Sequence, residues 1–239
     1  MRMAAKPRTR TSPRRNVERA QERADRTREL VINETIACIR EEGFAAASTR
    51  HIIERAGVSS GVIQYHFGDR DGLLTAVIDH AVTTLIESMN ELTERVGDIA
   101  DNDKRLKALV AAAWEAFHSP ASMSAMEILI ATRSLRDTLA VEQLIELQPG
   151  LARIAELIGG SSADSAAIAD LLWAAPIGLM VGQMVTNQPI PTEPQQQAMA
   201  QLIADHLRAT PTRSAGYGSS RMTSRKGRSN PQPSRRKRP

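Results

Sequence analysis

The stretch Ser48–Phe67, S-T-R-H-I-I-E-R-A-G-V-S-S-G-V-I-Q-Y-H-F, constrains this chain more than any other. Ser48 can cap a helix in which Ile52, Ile53 and Ala56 recur at helical spacing. Gly57 then supplies the permissive residue that a tight helix exit requires. Val58 reads as a buried plug in the turn, and Ser59 as the cap of a second, very short helix over about Ser60–His66. That helix turns Val62 and Ile63 inward and leaves Ser60, Gly61, Gln64 and Tyr65 outward. Two helices joined by a three-residue turn form a helix-turn-helix, whose second helix fits the DNA major groove. The same spacing also suits an αα-corner used only for packing.

Helical patterning continues on both sides. Asp25–Glu42 reads as a helix with Leu30, Ile32, Ile36 and Ile39 toward the core and Gly43 at its end. Asp69 can cap a long helix over about Arg70–Val96. Further helices are expected over Lys104–His118, Ala121–Ser134 and Asp137–Ile158, the last kinked or broken at Pro149-Gly150. Ala163–Thr186 is apolar nearly all round, and Glu193–Ala209 closes the set. With aromatics at only 3%, the apolar residues favour helix packing over a β-sandwich. The expected fold is therefore all-α, with about nine helices. Four segments are expected: a basic flexible arm over 1–24, a helix-turn-helix domain over 25–80, a helical effector-binding and dimerisation domain over 81–209, and a disordered basic tail over 210–239.

The net charge of +4 conceals a strong asymmetry. Residues 1–28 hold ten Lys/Arg against three acids, and residues 210–239 hold nine against none, so the body between them is acidic. Basic ends of this kind bind polyanions through counterion release, or serve as solvated tails that aid solubility. The lone Cys38 excludes an intramolecular disulfide and any cysteine-based zinc site. The apolar runs fall short of the roughly 20 residues a bilayer span needs, and the basic N-terminus lacks a following apolar region. A soluble, cytoplasmic protein without membrane contact is expected.

From Asp25 to Ala81 the sequence resembles the DNA-binding region of the TetR family of transcriptional regulators. The features that carry the resemblance are E-E-G-F at the end of the first helix, the turn A-G-V-S, and the exit Y-H-F-x-x-R-x-x-L-L. They span about a quarter of the chain. The resemblance implies a base-reading role for Arg50, at the start of the second helix, and phosphate contacts from Thr49, Tyr65, His66 and Arg70. Gln64 stands where the family usually has tyrosine, and its amide could pair with adenine N6 and N7. Ser60 and Val62 are further candidate base readers, flanking Gly61 on the same short helix. His66 equally suits a helix-end cap. Residues 29–80 carry four bases and eight acids, so the arm 1–28 would provide much of the phosphate attraction, entering the adjacent minor groove.

The resemblance also implies that the last two helices pair with their mates in a dimer. The excess apolar surface of 163–186 independently points to a C2 homodimer through helices near 163–186 and 193–209. Such a dimer reads a palindromic operator in double-stranded DNA. A small apolar effector inside the C-terminal helices would release it. Candidate lining residues are Trp114, Phe117, Met123, Met126, Ile130, Trp173, Pro176 and Met180, with His118, Glu127 and Arg133 as polar partners. Each also suits an ordinary core or solvent position. An enzyme is not expected: there is no phosphate-cradling Gly loop, metal-spaced His pair or nucleophile motif, and no cofactor or metal is implied. Two alternatives remain: a sequence-nonspecific architectural DNA-binding protein driven by the basic tails, and a regulator with no ligand that responds only to a protein partner.

Overall fold

The computed structural model describes residues 13–133, 146–159, 163–186 and 190–209. Among the described residues the chain is all-α, as the sequence implied. The helices are α1 (Pro13–Glu42), α2 (Thr49–Ala56), α3 (Ser60–Phe67), α4 (Arg70–Gly97), α5 (Asn102–Phe117), α6 (Pro120–Ala131), α7 (Gln148–Gly159), α8 (Ala163–Thr186) and α9 (Glu193–Ala209). A short 3-10 turn, Phe44–Ala46, joins α1 to α2. Residues 1–12, 210–239 and the first nine positions of the helix expected over Asp137–Ile158 lie outside the described residues.

Two hydrophobic cores organise these helices. The N-terminal core gathers Val31, Ile32, Ile36 and Ile39 of α1, Ile52 of α2, Ile63 of α3 and Leu73–Ala81 of α4. The C-terminal core gathers Leu85–Val96 of α4 with Leu109, Trp114 and Phe117 of α5, Ile154 and Ile158 of α7, and Leu172 and Met180 of α8. One helix, α4, therefore runs through both. A second bridge is α6, whose Ala121, Ala125 and Ile128 are buried in the N-terminal core although they come late in the chain. The division at residue 80 is thus crossed by two elements that belong to both sides.

Local chemistry explains most boundaries. Ser48 sits in extended backbone and accepts the His51 N–H at 3.3 Å, and Asp69 accepts the Gly72 N–H at 2.9 Å. Ser59 occupies the corresponding place before α3 but makes no side-chain cap bond. Gly57 ends α2 at φ 64°, a left-handed conformation that favours glycine. Gly72 is required for a different reason: a Cβ there would collide with the Phe67 carbonyl oxygen, because the first turn of α4 lies directly against the end of α3.

The structure corrects four sequence expectations. First, α1 starts at Pro13 rather than Asp25, so the helical turn expected near the end of the arm takes up all of residues 13–24. Proline suits a helix start, and pairs four residues apart, Gln21 to Asp25 at 2.9 Å and Glu22 to Arg26 at 3.7 Å, support the exposed turns. Second, Leu30 is 44% exposed while Val31 is fully buried, although Ile32, Ile36 and Ile39 do face the core. Third, Val58 is only partly buried against the N-terminal core. Fourth, Asp164–Thr186 does have the length and apolarity of a bilayer span, although it packs here on α5 and α7. The expected break at Pro149-Gly150 falls in the first turn of α7, where a missing N–H costs little.

Candidate nucleic-acid interface

The short α3 presents one face outward. Ile63 is buried beneath it, Val62 is half-buried, and Ser60, Gly61 and Gln64 are exposed. Tyr65, 79% exposed, stands edge-on to His66 with ring centroids 4.8 Å apart. Gly61 has no positive φ and meets only Ser59 Oγ at 3.8 Å, so its lack of a side chain answers no need within the chain. It leaves room on the outward face. Thr49 and Arg50 lie in the first turn of α2, with Arg50 extended into solvent and its Nε donating to Glu54 Oε1 at 2.9 Å.

Arg70, expected to face a phosphate, uses part of its guanidinium within the chain. Its Nε donates to the Ala47 carbonyl at 2.9 Å, and its guanidinium lies 4.9 Å over the Phe44 ring. Much of this cation therefore fastens α4 to the turn before α2. His66 is half-buried between Tyr65 and Phe67, the latter at 6.0 Å, near the helix end at Gly68.

What holds α1 and α2 in register is a residue that spacing alone did not single out. Arg55 donates to Glu42 at 2.6 Å and Glu41 at 2.9 Å, and lies 3.5 Å from Glu34. His51 adds a 2.9 Å contact to Glu42. Hydrogen bonds from His51 and then Arg55 hold the Glu42 carboxyl below its usual pKa. Burial, followed by the nearby Glu42 charge, pushes the Cys38 thiol up. Cys38, Glu42 and His51 bring donor atoms within 4.8 Å of one another. The Arg55 guanidinium already supplies positive charge beside this group, so the arrangement reads as an ion-pair clamp. A sequence signal did exist, since α1 ends in adjacent acids and Arg55 lies one helix later.

Comparison with known proteins decides what this helix pair belongs to. Residues 31–77 match the family described as bacterial regulatory proteins, tetR family. An HTH-type transcriptional regulator BetI of Burkholderia ambifaria is 30% identical over 162 residues, 61% of this chain and 79% of that protein. The chain belongs to the TetR family. It is accordingly a DNA-binding transcriptional regulator with a helix-turn-helix, a family of regulators and not of enzymes. A BetI of Paraburkholderia phytofirmans is 34% identical over 89 residues, but there the match spans 45% of the relative's length. Solved TetR structures share the fold at low identity. One from Haloarcula marismortui has a TM-score of 0.60 at 16% identity, covering 77% of this chain and 98% of that one. PfmR from Thermus thermophilus has 0.56 at 15%, covering 72% and 96%.

The TetR effector candidates are not brought around one cavity. Trp114, Phe117, Pro176 and Met180 are buried in the C-terminal core, where Phe117 meets Trp173 edge-on at 4.3 Å. A small cavity between α4, α5, α7 and α8, touched by Trp173, has a volume of about 20 Å³, room for one water. His118 spends Nδ1 on the Trp114 carbonyl at 2.8 Å, leaving its Nε2 and the Trp114 Nε1 buried without partners among the described residues. Met123 and Glu127 instead line an open cleft of about 760 Å³ at the junction of α1, α6 and α8. Met126 is half-buried on α6 and packs against the C-terminal core. Ile130 is 51% exposed and Arg133 is exposed.

A larger apolar feature lies elsewhere. Helices α8 and α9 both pack on α5, and between their outer faces runs a groove of about 620 Å³ with Leu171, Ala175, Met199 and Leu202 along it. Leu171 is 61% and Leu202 70% exposed in the single chain.

Proposed function

We propose that this protein is a cytoplasmic repressor that binds a palindromic operator as a C2 homodimer and is released by a small apolar effector. The observation that carries the reading is the outward face of α3, where Ser60, Gly61, Gln64 and Tyr65 stand clear while Ile63 fixes the helix from below. In this reading Gln64 and Arg50 face base edges, with Ser60 and Val62 beside them. Thr49, Tyr65 and His66 face phosphates. The exposed Leu171 and Leu202 are covered by the same face of a second copy, forming a four-helix interface. The two α3 helices then lie about one DNA turn apart.

Effector release requires a state whose helix spacing the operator disfavours. In the present state the core cavity holds no more than a water. The effector therefore binds a state in which α4, α5, α7 and α8 have parted. Selection from random duplex DNA at near-physiological salt tests the reading. An inverted repeat protected by a dimer is the expected result. Binding that enriches no sequence and vanishes as salt rises would replace it with tail-driven nonspecific binding.

A further inference from the structure

We propose that the N-terminal part of α1 is a second DNA-contacting element: a basic helical rod that lies along the phosphates of duplex flanking the half-site read by α3. The proposal rests on the operator-binding reading above and adds a partner surface to it.

The geometry begins at Arg28, whose guanidinium lies 5.6 Å over the ring of Phe67, the last residue of α3. This contact fixes where α1 passes the recognition helix. Pro13 lies fifteen residues before Arg28 in an unbroken helix, hence about 22 Å beyond that point at 1.5 Å per residue. That length matches roughly six base pairs at 3.4 Å each. Between Val17 and Arg26 every side chain but that of Ala24 is exposed, so among the described residues this stretch stands clear of the N-terminal core. Arg19, Arg23 and Arg26 fall at i, i+4 and i+7, which places them on one stripe of this rod.

Charge gives the rod its partner. The folded helix-turn-helix region supplies little free positive charge to a polyanion. Of its four arginines, Arg55 is held by three glutamates, Arg50 is paired with Glu54, Arg70 is turned onto Ala47 and Phe44, and Arg40 lies at the cleft beside Met123. The rod adds cations in excess: residues 13–28 hold six arginines against three acids, although Arg26 lies 3.7 Å from Glu22.

The test compares wild type with an Arg19→Gln, Arg23→Gln, Arg26→Gln variant of the full chain by fluorescence anisotropy across a salt series. Two duplexes are used: the inverted repeat recovered by selection, ending at its outer edges, and the same repeat with eight arbitrary base pairs added on each side. Wild type should bind the longer duplex about tenfold more tightly. The variant should lose that preference, with a slope of log K against log salt shallower by about 2–3 per protomer. Lysine in place of each arginine should preserve both properties. Equal wild-type affinities for the two duplexes, or an unchanged slope in the glutamine variant, would overturn the proposal. If selection recovers no repeat, the operator reading fails. The slopes on a random 40-base-pair duplex then decide the rod by the same criterion.

Discussion

The Glu127 carboxylate, on α6, accepts the backbone N–H of Phe44 at 2.7 Å, tying the C-terminal helices to the turn that launches α2. Ser124, one turn earlier, donates to the Ile36 carbonyl at 3.3 Å. Both bonds end on main chain of the DNA-binding region, and Ala121, Ala125 and Ile128 continue the contact into its core. Any displacement of α6 is therefore felt at the start of α2. Glu127→Ala leaves the Phe44 N–H without its acceptor and should cost about 1–3 kcal/mol in urea unfolding. Glu127→Gln keeps an acceptor and should recover most of it. Equal losses for the two substitutions would mean that the bond carries little of this coupling.

Gln64 offers a change with no structural cost. It is exposed on α3, and among the described residues only backbone hydrogen bonds tie it, so Gln64→Ala should leave thermal stability within about 0.5 kcal/mol. Discrimination at one base pair in each half-site should fall by about 1–3 kcal/mol. Competition between the selected operator and its single-position variants measures this directly. Uniform weakening across all variants would assign Gln64 to positioning instead.

The Glu42 clamp sets a pH dependence. His51 and then Arg55 lower the folded pKa of Glu42, so its stabilising contribution is complete above the ordinary value of 4.5. It is lost as pH falls through the lowered folded value, when the carboxyl must take up a proton. Asp101, lowered first by the Lys104 N–H at the start of α5, acts in the same direction. Thermal midpoints of Glu42→Gln and wild type should therefore differ most above pH 4.5 and converge in stronger acid. A constant difference at every pH would remove ionisation from the explanation.

The groove between α8 and α9 predicts the assembly. Leu171→Glu with Leu202→Glu places two charges where the proposed partner's apolar side chains would sit. Because both leucines are exposed in one chain, folding should survive. Sedimentation should show a dimer for wild type and a monomer for the double variant, with operator affinity falling at least tenfold. A variant that remains dimeric would move the interface elsewhere.

Much of this was written locally. Ser48, Gly57 and Asp69 mark helix ends because capping depends on a few adjacent residues. The spacing of Ile52, Ile53 and Ile63 shows which faces of two short helices turn inward. The apolar character of Ala163–Thr186 marked a helix with apolar surface on more than one side. Tertiary structure alone decided the rest. That Arg70 turns onto Ala47, that Glu127 reaches Phe44 across 83 positions, and that Ile130 faces solvent are all set by how distant helices pack. The sequence could nominate eleven effector candidates by type but could not divide them between a closed core and an open cleft. Periodicity determines which side of a helix is apolar, because it follows from backbone geometry. Which neighbour meets that side depends on contacts between residues far apart in the chain, and no local pattern encodes those.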